Sequence, residues 1–320
     1  MTWLTWRQHR GEALALALLV AAIGVILLVL GQPMHDLFPM GAAHCAVPPL
    51  DHACGNGLTR LQLDYGYAQP MLILLNIVPF VIGAFLGAPL LARELEAGTW
   101  QLAWTQAVPR MRWLAVKLTT LSMLTALLAT VFSALATWYR RPLDLFGRFE
   151  IDGFDVSGVV PVAYALFAFM VAAAAGVLLR RSLPALAAAL VTFVAVRVTV
   201  AGWLRPHYRT PITLIEAIPA GSGAVNGGTG NLQDGILDQG ISDAAGNHLN
   251  DLAASMVAHK ALDAGMDPTT YLHDQGFHRW VTYQPADRFW TFQFIETGIF
   301  GGLATILLVL VIWRVKRRAF

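Results

Sequence analysis

The sequence predicts an all-α polytopic membrane protein with six transmembrane helices, an amphipathic amino-terminal segment and a large extracytoplasmic loop between helices five and six. Three observations predict it: the composition, six long apolar runs, and the placement of arginine. Apolar residues make up 56% of the chain and charged residues 13%, whereas an average soluble domain is roughly a quarter charged. Such a chain is solvated by lipid. The runs extend from Ala13 to Leu30, Pro70 to Leu91, Trp113 to Trp138, Val159 to Leu179, Leu183 to Leu204 and Phe289 to Trp313. Each is close to the ~20 residues that cross a hydrocarbon core about 30 Å thick. Only helices satisfy their own backbone groups in lipid, so the runs are helical despite their Val, Ile and Phe content.

Taken in order, the first run follows Arg7 and Arg10 as a secretory signal would. It exceeds the roughly 7 to 15 apolar residues of a signal core, and no small-x-small cleavage site follows it at once, so it is read as a retained anchor. Basic residues then recur at one membrane edge: Arg93, Arg110, Arg112 and Lys117 around the second loop, Arg180 and Arg181 in a short turn, and Arg314, Lys316, Arg317 and Arg318 in the tail. The positive-inside rule places these pieces, and both termini, in the cytoplasm. Most acids fall on the other side, including Asp234, Asp238, Asp243, Asp251, Asp263, Asp267 and Asp274. The predicted location is the bacterial cytoplasmic membrane, multi-pass.

The organisation that follows has three parts. Residues 1–204 hold the interfacial start and five helices, with a loop at 92–112; residues 205–288 form an extracytoplasmic subdomain; residues 289–320 hold the sixth helix and a basic tail. The last outer loop is too long for a bare connection. Its middle, Gly221 to Gly246, is rich in Gly, Asn and Asp and reads as irregular. Asn250 to Leu262 reads as an amphipathic helix, and Asp267 caps a second that contains Pro268 and stops at Gly276. Cys45 and Cys54 share the first outer loop. On an oxidising side they form a disulfide; two free thiols are the alternative. The outer histidines, His35, His44, His52, His207, His248, His259, His273 and His278, lack the spacing of a metal motif, so no metal is expected and solvated surface histidine is the ordinary reading.

A formal charge of +2 points to no nucleic-acid partner. There is no glycine-rich loop ending in Lys and Ser or Thr to wrap a nucleotide, no H-E-x-x-H helix and no G-x-S-x-G elbow. The chain by itself is therefore not read as an enzyme, and no catalytic residue is assigned.

The segment after the second run is the most informative. It reads Arg93, Glu94, Leu95, Glu96, Ala97, Gly98, Thr99, Trp100, Gln101, Leu102, then Val108, Pro109, Arg110, Met111, Arg112, Trp113 and Lys117. It resembles the first cytoplasmic loop of permease subunits of ABC-2 type ABC exporters. The Trp-containing start (Trp3, Trp6, Arg7, Arg10), the six spans and the large loop before the last helix agree. The run Tyr283, Gln284, Pro285, Arg288, Trp290, Gln293, Glu296 is similar to the start of the last span in actinobacterial members. The resemblance implies that a separate ABC ATPase subunit, in two copies and carrying ATP and Mg, docks on the cytoplasmic face. It also implies a second permease, identical or homologous. A coupling helix from about Arg93 to Ala97, ended by Gly98, would then offer Glu94 and Glu96 to the ATPase, with Thr99, Arg110 and Arg112 in the same coupling segment. The alternative is that Arg93, Arg110 and Arg112 only anchor the topology.

Inside the membrane, Gly83 and Gly87, and Gly298 and Gly302, have the G-x-x-x-G spacing of close helix packing. Thr119, Ser122, Ala126, Thr130, Ser133 and Thr137 make a small, hydroxylated stripe at a 3.6-residue period. Either feature lines a pathway or packs helices, and packing is the commoner reason. Arg197 and Glu296 fall at similar depth inside apolar runs, where a central Arg costs about 2.5 to 3.5 kcal/mol. They are expected to pair, the alternative being separate snorkelling to the headgroups. The function expected is a permease moving a hydrophobic or amphipathic substrate outward. A non-transporting sensor or immunity permease, and a membrane enzyme acting on a lipid-linked substrate, are the alternatives.

Overall fold

In a computed structural model, residues 2–96, 110–221, 229–249, 251–263 and 265–317 are described. Six helices long and apolar enough to cross a membrane cover Arg7–Asp36, Ala68–Gly87, Met111–Arg140, Val160–Leu179, Ser182–His207 and Ala286–Arg317. Helix α1 (Thr2–Asp36) is continuous from its interfacial start, where Arg7 lies 5.3 Å from the Trp3 ring, through the whole first span. The loop after it carries helix α2 (His52–Asp64), whose cap Asp51 accepts from the Cys54 amide at 2.7 Å, and Cys45 and Cys54 are disulfide-bonded.

The second span is in pieces, α3 (Ala68–Leu75) and α4 (Val78–Gly87), and runs on as α5 (Pro89–Glu96). Pro79 has no amide to give to the carbonyl four residues back, and the helix breaks at Asn76 and Ile77. Helix α6 (Arg110–Arg140) is the third span. A buried strap follows, with a 3-10 turn at Leu143–Phe146 and one helical turn at Ile151–Phe154. Helix α7 (Val160–Leu179) is the fourth span and helix α8 (Ser182–Thr199) the fifth; α8 continues as a π turn at Val200–Leu204 and a 3-10 turn at Arg205–His207. The sixth span is α11 (Phe289–Arg317).

The fourth span is the axis of the bundle, in contact with α4, α5, α6, α8 and α11. Its Ala163, Ala165, Ala168, Ala172 and Ala173 are buried, and the small side chains let neighbours approach closely. On α4 a Cβ at Gly83 would overlap the Ala165 carbonyl oxygen, and one at Gly87 that of Phe169. Gly298 and Gly302 are different, since a Cβ at either meets nothing within 4 Å. Neither packs closely against another helix of this chain among the described residues. The hydroxyl stripe of α6 is largely self-satisfied: Thr119, Thr130 and Thr137 bond the carbonyls of Ala115, Ala126 and Ser133 on their own helix.

Segment 205–288 contains more order than expected. Strands β1 (Ile212–Ala217), β2 (Gly235–Ser242) and β3 (His278–Gln284) form an antiparallel sheet in the order β1-β3-β2. This corrects the reading of Gly221 to Gly246 as irregular throughout. A bulge between Ile236 and Asp238 breaks the alternation that would mark β2. Helices α9 (Asp251–Asp263) and α10 (Pro268–Asp274) accompany it. Asp267 accepts from the Thr269 and Thr270 amides at 3.0 Å, and Gly276 takes a φ of 73°. Ile218, Ile241 and Leu272 form a small core apart from that of the helices.

Candidate functional site

Charged side chains inside the hydrocarbon must find partners or be excluded from the fold. The strap between the third and fourth spans supplies one, because it dips inward and buries Asp155. Serine and threonine hold its end: the Ser133 hydroxyl donates to the Gly158 carbonyl at 2.5 Å and the Gly158 amide to the Thr137 hydroxyl at 2.9 Å. Gln293 on α11 accepts from the Val159 and Val160 amides, both at 3.0 Å, and donates to the Phe154 carbonyl at 3.0 Å. It thereby satisfies donors at the start of α7 that have no helical partner.

Asp155 stands between two guanidinium groups, with Arg197 at 3.0 Å and Arg205 hydrogen-bonded to its other oxygen. Glu296, fully buried, receives Arg205 in a bidentate pair at 2.8 and 3.0 Å. The Tyr164 hydroxyl sits between the carboxylates, 3.0 Å from Asp155 and hydrogen-bonded to Glu296, and Tyr208 reaches Glu296 at 3.3 Å. Arg197 donates to the Asn76 carbonyl at 2.8 Å and to its side-chain oxygen. It thus fills the break that Pro79 makes in the second span. Two cations face two anions, so the cluster is neutral and held by four of the spans and the strap.

Arg197 and Glu296 therefore enter one network but do not pair. The π turn after Thr199 carries Arg205 back into the bundle, where one edge of its guanidinium holds both oxygens of Glu296. Arg197 is engaged by Asp155 and Asn76 instead. Sequence reasoning puts Arg205 at the start of segment 205–288 and singles out neither it nor Asp155. The signal for Asp155 is its position, an acid between Phe154 and Val156 just before an apolar run.

A cavity of about 600 Å³ opens beside this cluster, between the second and fifth spans. Its walls are apolar, with Ile73, Leu74, Ile77, Val194 and Val198, and its polar part is Asn76, Asp155 and Arg197.

At the opposite end of the same two spans lies α5. Leu90 and Ala92 are buried, and a Cβ on Gly176 of α7 would come within 3.3 Å of the Ala92 Cβ. Glu96 is exposed, yet its carboxylate accepts from the Ser182 amide at 2.9 Å and from its hydroxyl. It caps the first turn of α8 from outside. These bonds hold its pKa below the ordinary value. Arg93 and Glu94 lie on α5 and Arg110 begins α6, while Arg112 is exposed on α6. Gly98 and Thr99 lie outside the described residues.

A model of the ABC-2 membrane transporter related family matches residues 17–205, more than half of the chain. The chain belongs to that family. It is a membrane-embedded permease of the ABC-2 type, and the match covers the first five spans as far as Arg205. Gln293 and Glu296, which complete this permease's buried network, lie beyond the matched residues, as does the sheet. No curated protein and no solved structure matches the chain.

Proposed function

We propose that this ABC-2 permease is the membrane-spanning subunit of an ATP-driven exporter. In this reading it sits in the bacterial cytoplasmic membrane with both termini in the cytoplasm, and residues 205–288 form an outer subdomain. A separate ABC ATPase, in two copies with ATP and Mg, docks on the face of α5, and a second permease, identical or homologous, completes the pathway. One observation carries the reading: the helix α5 that would meet the ATPase is tied to both walls of the apolar cavity. It continues the second span, and its Glu96 caps the fifth. A displacement of α5 therefore moves the two helices that bound the cavity. The cavity suits a hydrophobic or amphipathic molecule with a polar end near Asn76 and Arg197.

The test is co-purification of the tagged chain from native membranes in mild detergent. A soluble ABC ATPase is expected to co-elute, and Glu94→Arg to reduce it while the chain still folds. Isolation of the wild-type chain without any ATPase would overturn the proposal.

A further inference from the structure

The buried cluster around Asp155 is charge-balanced, but a second cluster at the loop-side ends of the first and third spans is not. Arg140, Arg141 and Arg148 lie there with Asp144 and Asp152, and the other four all act electrostatically on Asp144. Three cations against two anions leave one positive charge. Two further acids, Asp36 and Glu150, line neighbouring cavities instead. Three arginines in a short connection on the face away from the termini also run against the arginine bias that orients the helices.

The two acids do not satisfy the arginines. Arg140 is 1% exposed and donates to the Gly147 carbonyl at 2.6 Å, but its Nε and Nη1 have no hydrogen-bond partner, and Asp144 is 3.6 Å away. A Cβ on Gly153 would overlap this guanidinium, so glycine is needed for it to fit. Arg148 lies 3.7 Å from Asp144 and 3.9 Å from the Phe289 ring centre, and its guanidinium makes no hydrogen bond among the described residues. Arg141 is exposed and makes neither an ion pair nor a side-chain hydrogen bond among them. Burial pushes the Arg148 pKa down, and it pushes the Asp144 pKa up against the pull of the three arginines.

Arg141, Arg148 and Asp144 open onto a cavity of about 370 Å³, whose other walls include His35, Phe38 and Pro142. Its depth is set by the ends of α1 at Asp36 and α6 at Arg140, and by His35 stacked 4.5 Å from Trp138. This is the headgroup level, where Trp side chains collect. The exposed Met40 adds apolar surface beside it.

We propose that this cavity binds the phosphate of an anionic lipid headgroup in the leaflet opposite the termini. One phosphodiester charge neutralises the cluster, and the planar arginine forks supply the donors. The site is separate from the cavity between the second and fifth spans and does not rest on the transport reading.

The test is lipid retention by native mass spectrometry of the full chain extracted from nanodiscs containing equal parts of phosphatidylglycerol and phosphatidylcholine. The wild type is expected to retain phosphatidylglycerol in preference. Arg141→Gln, at an exposed position, should retain about fivefold less, the effect of ~1 kcal/mol per arginine at a membrane surface. Asp144→Asn should retain more than wild type, an increase that a folding defect does not produce. Inorganic phosphate is added as the soluble competitor. Failure to displace the lipid identifies the headgroup as the source, and full displacement overturns the lipid assignment in favour of a free anion. Equal retention of the two lipids by the wild type, or no change in Arg141→Gln and Asp144→Asn, overturns the site itself.

Discussion

Arg205 and Glu296 show how strongly single residues decide this interior. Each is the other's bidentate partner inside the bundle, and breaking such a buried pair costs about 3 to 5 kcal/mol. A double-mutant cycle on Arg205→Gln and Glu296→Gln, read by thermal unfolding in detergent, should give a coupling of about 1 to 3 kcal/mol. The same cycle on Arg197 and Glu296 should give a smaller one, because Asp155 and Tyr164 intervene. That Arg197 and Glu296 lie inside the membrane was legible from hydropathy. Their partners were not, since pairing depends on a π turn and an inward strap that leave no periodic trace. Glycine is a second case. Gly83→Leu forces a side chain onto the α7 backbone and should lower stability by about 1 to 3 kcal/mol, whereas Gly298→Ala, in open space, should stay within about 0.5 kcal/mol. Thermal unfolding of the two variants separates them, although both glycines have the same sequence spacing.

Among the elements, α5 links the terminal face to the rest of the bundle. Its carboxylate Glu96 has a pKa below the ordinary 4.5 because Ser182 donates to the charged form. A lowered folded pKa gives a contribution that is complete above 4.5 and is lost as the pH falls through the folded value. Thermal unfolding should therefore show wild type above Glu96→Gln at neutral pH, with the gap closing on acidification below 4.5. A gap that stays constant with pH would show that Ser182 does not hold the ionised carboxylate. The spans and the capped helix at Asp267 were legible in hydropathy and capping residues. The sheet was not, because a bulge between Ile236 and Asp238 breaks the alternation of β2 and the strands are far apart in sequence. The expected helix from Arg93 to Ala97 starts earlier, at Pro89, since proline is favoured in a first turn.

At the scale of the whole molecule, the bundle is organised around a fourth span that is buried on most sides, with a neutral charged cluster at one end and α5 at the other. The apolar cavity lies between the two helices that connect them. The central claim is that an ATPase acts on this cavity through α5. The most direct measurement is ATP hydrolysis in proteoliposomes by an ABC ATPase that co-purifies with this chain, alone and reconstituted with it. The account predicts vanadate-sensitive hydrolysis that rises in the presence of the chain and falls back to the ATPase-alone rate with Glu94→Arg. A rate that is the same with the wild-type chain, with the variant and with neither would contradict it.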